Sequence, residues 1–137
     1  MRKDRKVELI AGVPLFARCS KRELRAIAAL ADEIERPAGR VLAKEGTLGR
    51  EFFVIVDGAA EVRKGSKRLA LLGPGDFFGE IALVTRAPRT ATVTLIEPSS
   101  LLVMAERDFD TLLKDEPEIQ ARVLRSLADR LAEAENL

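Results

Sequence analysis

The chain has 137 residues, 47% hydrophobic and 33% charged, with 23 basic and 22 acidic side chains and a formal net charge of +1. That length suits one domain burying about two-thirds of its unfolded surface; the composition excludes a disordered chain, and the charge balance excludes a one-signed field that would draw the whole molecule to nucleic acid or an acidic membrane. Histidine is absent, which removes Ser-His-Asp and Cys-His catalysis and most zinc, iron and copper sites, leaving carboxylate chemistry formally open.

In chain order, the start Met1-Arg2-Lys3-Asp4-Arg5-Lys6 is basic but short and contains an acid. It reads as a frayed, solvated end rather than a nucleic-acid arm. No apolar run approaches the ~20 residues of a membrane span, and the apolar core of a signal peptide is missing. Cys19 is the one cysteine and cannot close an internal disulfide, which fits a reducing compartment. The cytoplasm is the expected location.

Val13-Pro14-Leu15-Phe16 is an apolar turn, expected to pack the following helix onto the domain. Ser20 followed by Glu23 is a capping-box pattern. Leu24, Ile27, Ala28 and Ala31 then recur at helical spacing. The predicted helix ends before Pro37-Ala38-Gly39.

From Gly39 the rhythm changes to short runs of Val, Ile, Leu and Phe between glycines, the pattern of antiparallel strands and tight turns. Phe52-Phe53-Val54-Ile55-Val56 ahead of Asp57-Gly58 predicts a hairpin that continues through Ala60-Glu61-Val62. Lys64-Gly65-Ser66-Lys67 is the next turn, with residues 68–72 returning. Residues 90–96 and 101–104 are predicted to pair around Glu97-Pro98-Ser99-Ser100. Such spacing suggests a sandwich or a double-sheet jelly roll.

Helical spacing returns after Met104. Residues 107–114 predict a short helix, and Pro117 sits in the first turn of a longer one, where its missing N–H costs nothing. Ile119, Val123, Leu127 and Leu131 share one face of that helix, widened by Leu124 and Ala128. Asp115, Glu116 and Glu118 stand at the positive end of its dipole.

One stretch does not read as strand: residues 79–89. Gly79 has access to backbone geometry closed to other residues and no side chain to block a ligand. Glu80 to Leu83 predicts one helical turn, whose first N–H groups lack intrahelical partners and form an anion site with the dipole. Arg89 adds a planar, permanently charged fork for a phosphate, and Pro88 restricts the backbone before it. Glu80 inside an anion site makes sense if the ligand also offers hydroxyls, as a ribose fused to a phosphate does. The same spacing also fits a plainer reading, with Glu80 complementing a helix N-terminus and Arg89 a surface charge or its ion-pair partner.

The run Phe78-Gly79-Glu80-Ile81-Ala82-Leu83, followed by Pro88-Arg89-Thr90-Ala91-Thr92-Val93, resembles the phosphate-binding cassette of cyclic-nucleotide-binding domains. This is the family of the catabolite activator protein, the regulatory subunits of cAMP-dependent kinase, cGMP-dependent kinase and cyclic-nucleotide-gated channels. Glu45-Gly46, the run 53–58, Gly73-Pro74-Gly75-Asp76 and the helical element after Pro14-Leu15-Phe16 extend the resemblance over almost the whole chain.

The resemblance implies a mainly β fold with flanking α: a double-stranded β-helix, or jelly-roll, barrel with an N-terminal helix and C-terminal lid helices. The segments would be an N-terminal helical element over 1–38, a barrel over 39–105 with the cassette at 79–93, and C-terminal helices over 106–137, in a single domain. Glu80 would hold the ribose 2′-OH and Arg89 the exocyclic phosphate oxygens. Gly79 and the backbone around Ile81 and Ala82 would complete the cradle. Thr90 would reach the phosphate or the 2-amino group of a guanine, and it leaves cAMP and cGMP both open.

Arg86 lacks the Pro-Arg-x-Ala context and reads as surface. Val62 and Leu71 are weak candidates for the base. In the lid, residues 117–137, Arg130, Glu133 and Asn136 are candidates to meet it, a solvated polar face being the plainer reading.

The implied function is a non-enzymatic sensor binding cAMP or cGMP, with no cofactor or metal and with signalling through movement of the last helix. Nucleic-acid binding and membrane insertion are not expected. A homodimer or an unidentified effector protein would use the C-terminal helix. No helix-turn-helix, kinase domain or membrane pore accompanies the sensor, so the chain reads as a free-standing receptor or a piece of a larger protein; its basic start favours a native N-terminus. Two other readings compete: an interaction domain that keeps the fold without ligand, and a metal-dependent enzyme on the same architecture, against which the missing histidines stand.

Overall fold

The computed structural model describes residues 3–85 and 87–135. Helices α1 (Lys3–Ala11) and α2 (Lys21–Ala28) come first, joined through a 3-10 turn, Pro14–Phe16. Strands β1 (Asp32–Arg36), β2 (Val41–Ala43), β3 (Glu51–Asp57), β4 (Ala60–Lys64), β5 (Lys67–Leu72) and β6 (Phe77–Phe78) follow. A second 3-10 turn, Glu80–Leu83, leads to β7 (Thr92–Leu95) and β8 (Ser99–Ala105). Helices α3 (Glu106–Asp115) and α4 (Pro117–Glu135) complete the described chain. The strands make two antiparallel sheets of a jelly-roll barrel: an inner one in the order β1-β8-β3-β6, and an outer one in the order β2-β7-β4-β5.

The inner sheet is a wall shared by two cores. Phe52 and Val54 of β3, with Leu102 and Met104 of β8, pack against Ile10, Phe16, Ile27 and Phe109 of the helical side. Phe53, Ile55 and Leu101 point the other way and meet Ala60, Val93 and Leu95 of the outer sheet. A strand covered on both faces has no polar face to show, which explains the unbroken apolar run at 52–56. Phe16 meets Phe52 and Phe109 edge-on, with ring centroids 6.2 and 5.7 Å apart. Edge-to-face packing of this kind adds to area burial and locks the first 3-10 turn between sheet and α3.

Several expectations change. The start read as a frayed end is, from Lys3, the beginning of α1: Leu9 and Ile10 are buried, and Lys6 Nζ donates to the Ala31 carbonyl at 2.6 Å. The predicted helix stops at Ala28, and residues 32–36 form β1, within the stretch expected to be helical. Ile34 is the one apolar residue of that strand. Its pairing with β8 from Asp32↔Val103 to Arg36↔Ser99 lets tertiary context override local preference.

The turn at Asp57-Gly58 does not close a hairpin: β3 and β4 lie in different sheets. Nor do residues 90–96 and 101–104 pair, since β7 joins β2 and β4 while β8 joins β1 and β3. Turn chemistry reverses a chain, but burial decides which edge it meets. The expected return at 64–67 does hold, with Lys64↔Lys67 closing a two-residue turn between β4 and β5.

Helix α4 buries Ile119 and Val123, half-buries Leu127, and leaves Leu124 and Leu131 exposed, so the expected apolar face is covered only in its first half. Two ion pairs tie it to the N-terminal element. Arg18 meets Asp129 through two bonds, Nε–Oδ2 at 2.7 Å and Nη2–Oδ1 at 3.1 Å, and Arg122 Nε lies 2.7 Å from Glu23 Oε1. Glu23 also closes the expected capping box: Ser20 N donates to Oε1 at 2.7 Å, and Glu23 N donates to Ser20 Oγ at 3.2 Å.

Candidate functional site

Gly79 ends β6 with φ +84°, in the left-handed region. Only glycine adopts that region without a Cβ penalty, so the chain turns sharply here and enters the expected single turn, Glu80–Leu83. Leu83 is buried in the helical core and anchors the end of the turn. Glu80, at its first position, is only 7% exposed. Ile81 is exposed, and Ala82 supplies the middle of the turn's backbone.

Arg89 is half-buried and fixed at both ends. Its backbone is strapped to the loop after β2: Arg89 N donates to the Thr47 carbonyl at 2.7 Å, and Gly46 N donates to the Arg89 carbonyl at 2.9 Å. A bridge between Leu48 and Pro88 continues the strap. At the other end, Nη2 donates to the Glu51 carbonyl. Nε is buried with no hydrogen-bond acceptor among the described residues. Burial pulls the guanidinium pKa below its usual range, against the opposing pull of the Glu51 and Glu80 carboxylates. A half-buried cation that still has donor capacity is a strong partner for an anion.

These groups line one cavity of about 290 Å³. Gly79, Glu80, Ile81, Arg89 and Thr90 surround it, with Ala43, Val62, Phe78 and Val93 as its apolar wall. Phe78 is held by stacking on Phe53, centroids 5.0 Å apart and 18° from parallel. A wider cleft of about 440 Å³ lies beside Pro37 and Pro98, but neither Glu80 nor Arg89 lines it. The cassette cavity therefore offers a cation and a carboxylate beside an apolar surface, a combination suited to a small ligand with an anionic group, hydroxyls and a flat apolar portion.

The structure thus brings Glu80 and Arg89 together with Val62, as expected. Leu71 does not join them: it is 57% exposed, opposite Glu61 on the outer face of the outer sheet. Glu133 is exposed on α4. Arg86 and Asn136 lie outside the described residues, as does the side chain of Arg130.

Sequence reasoning missed the strap 46–48, the Glu51 carbonyl and Gly49. Glu45-Gly46 marked a turn in the sequence, but nothing there tied the turn to Arg89. Gly49 is missing from the positive-φ glycines, so turn chemistry gave it no signal.

A family model described as the cyclic nucleotide-binding domain matches residues 33–116. A cyclic nucleotide-gated potassium channel of Rhizobium etli is 36% identical over 124 residues, covering 90% of this chain and 34% of the channel. The N-terminal domain of a transcriptional regulator from Streptomyces coelicolor superposes with a TM-score of 0.84 at 28% identity, over 93% of this chain and 92% of that one. The regulatory domain of Toxoplasma gondii PKA, solved with cAMP, gives a TM-score of 0.73 at 26% identity, covering 82% of this chain and 45% of that one. This chain spans about a third of the length of the curated channels it matches.

Proposed function

The chain belongs to the cyclic nucleotide-binding domain family, and from that premise we propose that it is a non-enzymatic sensor taking cAMP or cGMP into the cavity beside Arg89. The observation that carries this reading is the meeting of Arg89, buried Glu80 and the Gly79 turn in one apolar-walled cavity. Arg89 and the first N–H groups of the turn take the cyclic phosphate. Glu80 accepts from the ribose 2′-OH, Thr90 stands beside the phosphate, and the base rests on Val62 and Val93. The cAMP in the Toxoplasma structure supports the ligand class. No cofactor or metal enters this scheme, and the proposed location is the cytoplasm.

The output is movement of α4. Leu83 and Val84, at the end of the cassette turn, share a groove with Leu113, Val123 and Leu127 of α3 and α4. A ligand that repositions the turn changes the floor on which α4 rests. It shifts the helix only by as much as it prefers the moved state. Leu124 and Leu131, 65% and 63% exposed and seven residues apart, give α4 an apolar stripe for a second copy of the chain or an effector protein. Elution volume and light scattering of Leu124→Ser/Leu131→Ser against the parent chain check the self-association.

Calorimetric titration of nucleotide-stripped protein with cAMP and then cGMP tests the sensor reading. Micromolar or tighter binding of one nucleotide is expected. Arg89→Ala weakens it at least tenfold, about 1.4 kcal/mol, with the circular dichroism spectrum unchanged. A folded, stripped protein that ignores both nucleotides overturns the sensor reading and leaves an interaction domain acting through α4.

A further inference from the structure

Gly49 lies just before β3, and its backbone avoids the left-handed region that would demand a glycine. Its lack of a side chain has a different consequence. A Cβ at residue 49 would sit 1.8 Å from Arg89 Nε, 2.2 Å from Cζ and 2.6 Å from Cδ. These are the centre of the guanidinium and its last methylene, so the side chain has to leave its place rather than bend at its tip. On the other side, a Cβ at Gly79 would sit 2.3 Å from Arg89 Nη1 and 2.8 Å from the Glu51 carbonyl oxygen. The guanidinium therefore lies between two absent side chains, with Nη2 bonded to the Glu51 carbonyl.

We propose that Gly49 is a positioning residue for ligand binding: its bare Cα lets Arg89 lie flat against the start of β3, oriented toward the cavity before any ligand arrives. The proposal rests on the assignment of Arg89 to the ligand phosphate. Arginine loses much rotamer freedom when it is ordered. Ordering it during folding lowers the entropic cost of binding, and the Glu51 carbonyl and the strap at 46–48 keep the side chain in register. Gly79 serves the turn and the cradle together, whereas Gly49 serves the cradle alone.

The test is a double-mutant cycle of Gly49→Ala and Arg89→Ala, read by nucleotide affinity and by Tm without ligand. Gly49→Ala is expected to weaken cAMP or cGMP binding at least tenfold in the parent chain. In the Arg89→Ala background it changes affinity less than twofold and costs no Tm, because the atoms it would strike are gone. Undiminished affinity in Gly49→Ala overturns the proposal, as does an equal loss in both backgrounds. If the parent chain binds neither nucleotide, the phosphate assignment itself fails. The ligand-free Tm cycle then decides whether residue 49 acts through Arg89: relief of the loss by Arg89→Ala upholds that, and equal loss refutes it. If Gly49→Ala alone does not fold, folding of the double variant upholds the proposal, and failure of both while Arg89→Ala folds overturns it.

Discussion

Two carboxylates are buried among the described residues, Glu23 at 1% and Glu80 at 7% exposure, and each stands in the first turn of a helix with an arginine nearby. At Glu23 the space is closed. Ser20 and Arg122 converge on the carboxylate, and the result is a seam between α2 and α4. At Glu80 the nearby arginine, Arg89, lines the same cavity, and the bare Cα atoms of Gly49 and Gly79 make room for its guanidinium. Burial and an opposite charge are thus common to a structural group and a candidate ligand group. The difference is unfilled space that the backbone has been shaped to keep open.

The largest expected effect separates the two by affinity. Glu80→Ala should cost about 1.5–3 kcal/mol of nucleotide binding, the scale of a hydrogen bond to a charged group. A loss of stability without a loss of affinity would put Glu80 in the same class as Glu23.

Glu23→Ala should do the reverse. It removes half of a capping box, worth about 1–2 kcal/mol of stability by denaturant unfolding, and it leaves nucleotide affinity alone. Arg122 keeps 42% of its side-chain exposure, but its Nε, which faces Glu23, is buried, so the loss includes that donor left without its carboxylate.

Acid sharpens the same contrast. Burial alone would raise the Glu23 pKa, but the Ser20 amide and hydroxyl and the Arg122 guanidinium outweigh it and hold the carboxyl below its ordinary 4.5. The folded state favours the charged form. The stabilisation is therefore full above 4.5 and fades as pH falls below it. Thermal melts from neutral pH down to about pH 3 should show a smaller acid loss for Glu23→Gln than for the parent chain.

The smallest effect is local. Burial first, then Glu23, pushes the neighbouring Cys19 thiol up to about 11, with Arg122 opposing. Iodoacetamide should alkylate it slowly at neutral pH, and faster in Glu23→Gln.

The cassette turn, the β4–β5 return and both C-terminal helices were legible because their signals are local: Gly79 before Glu80, Gly65-Ser66 between paired lysines, Pro117 ahead of an apolar stripe. Strand β1 was not legible, because Asp32-Glu33-Ile34-Glu35-Arg36 carries one apolar residue and owes its conformation to β8. The pairing around Asp57-Gly58 failed for a related reason: a turn dipeptide records a reversal and not the sheet on the far side. At the site, the two charged partners could be read from the sequence. Gly49 could not, because its contribution is vacant volume at a residue forty positions from the one it accommodates.

The crossing of strands between sheets has a consequence in time. Among the described strands, only β4 and β5 are joined by a short turn within one sheet; β1 must wait for β8, since Asp32 pairs with Val103. Loop-closure entropy is spent on such pairings before burial returns it, which places topologies of this kind among the slower folders, in milliseconds to seconds. The first strand made is among the last to be secured, and the wall that both cores share is completed only when the chain has reached its final strand.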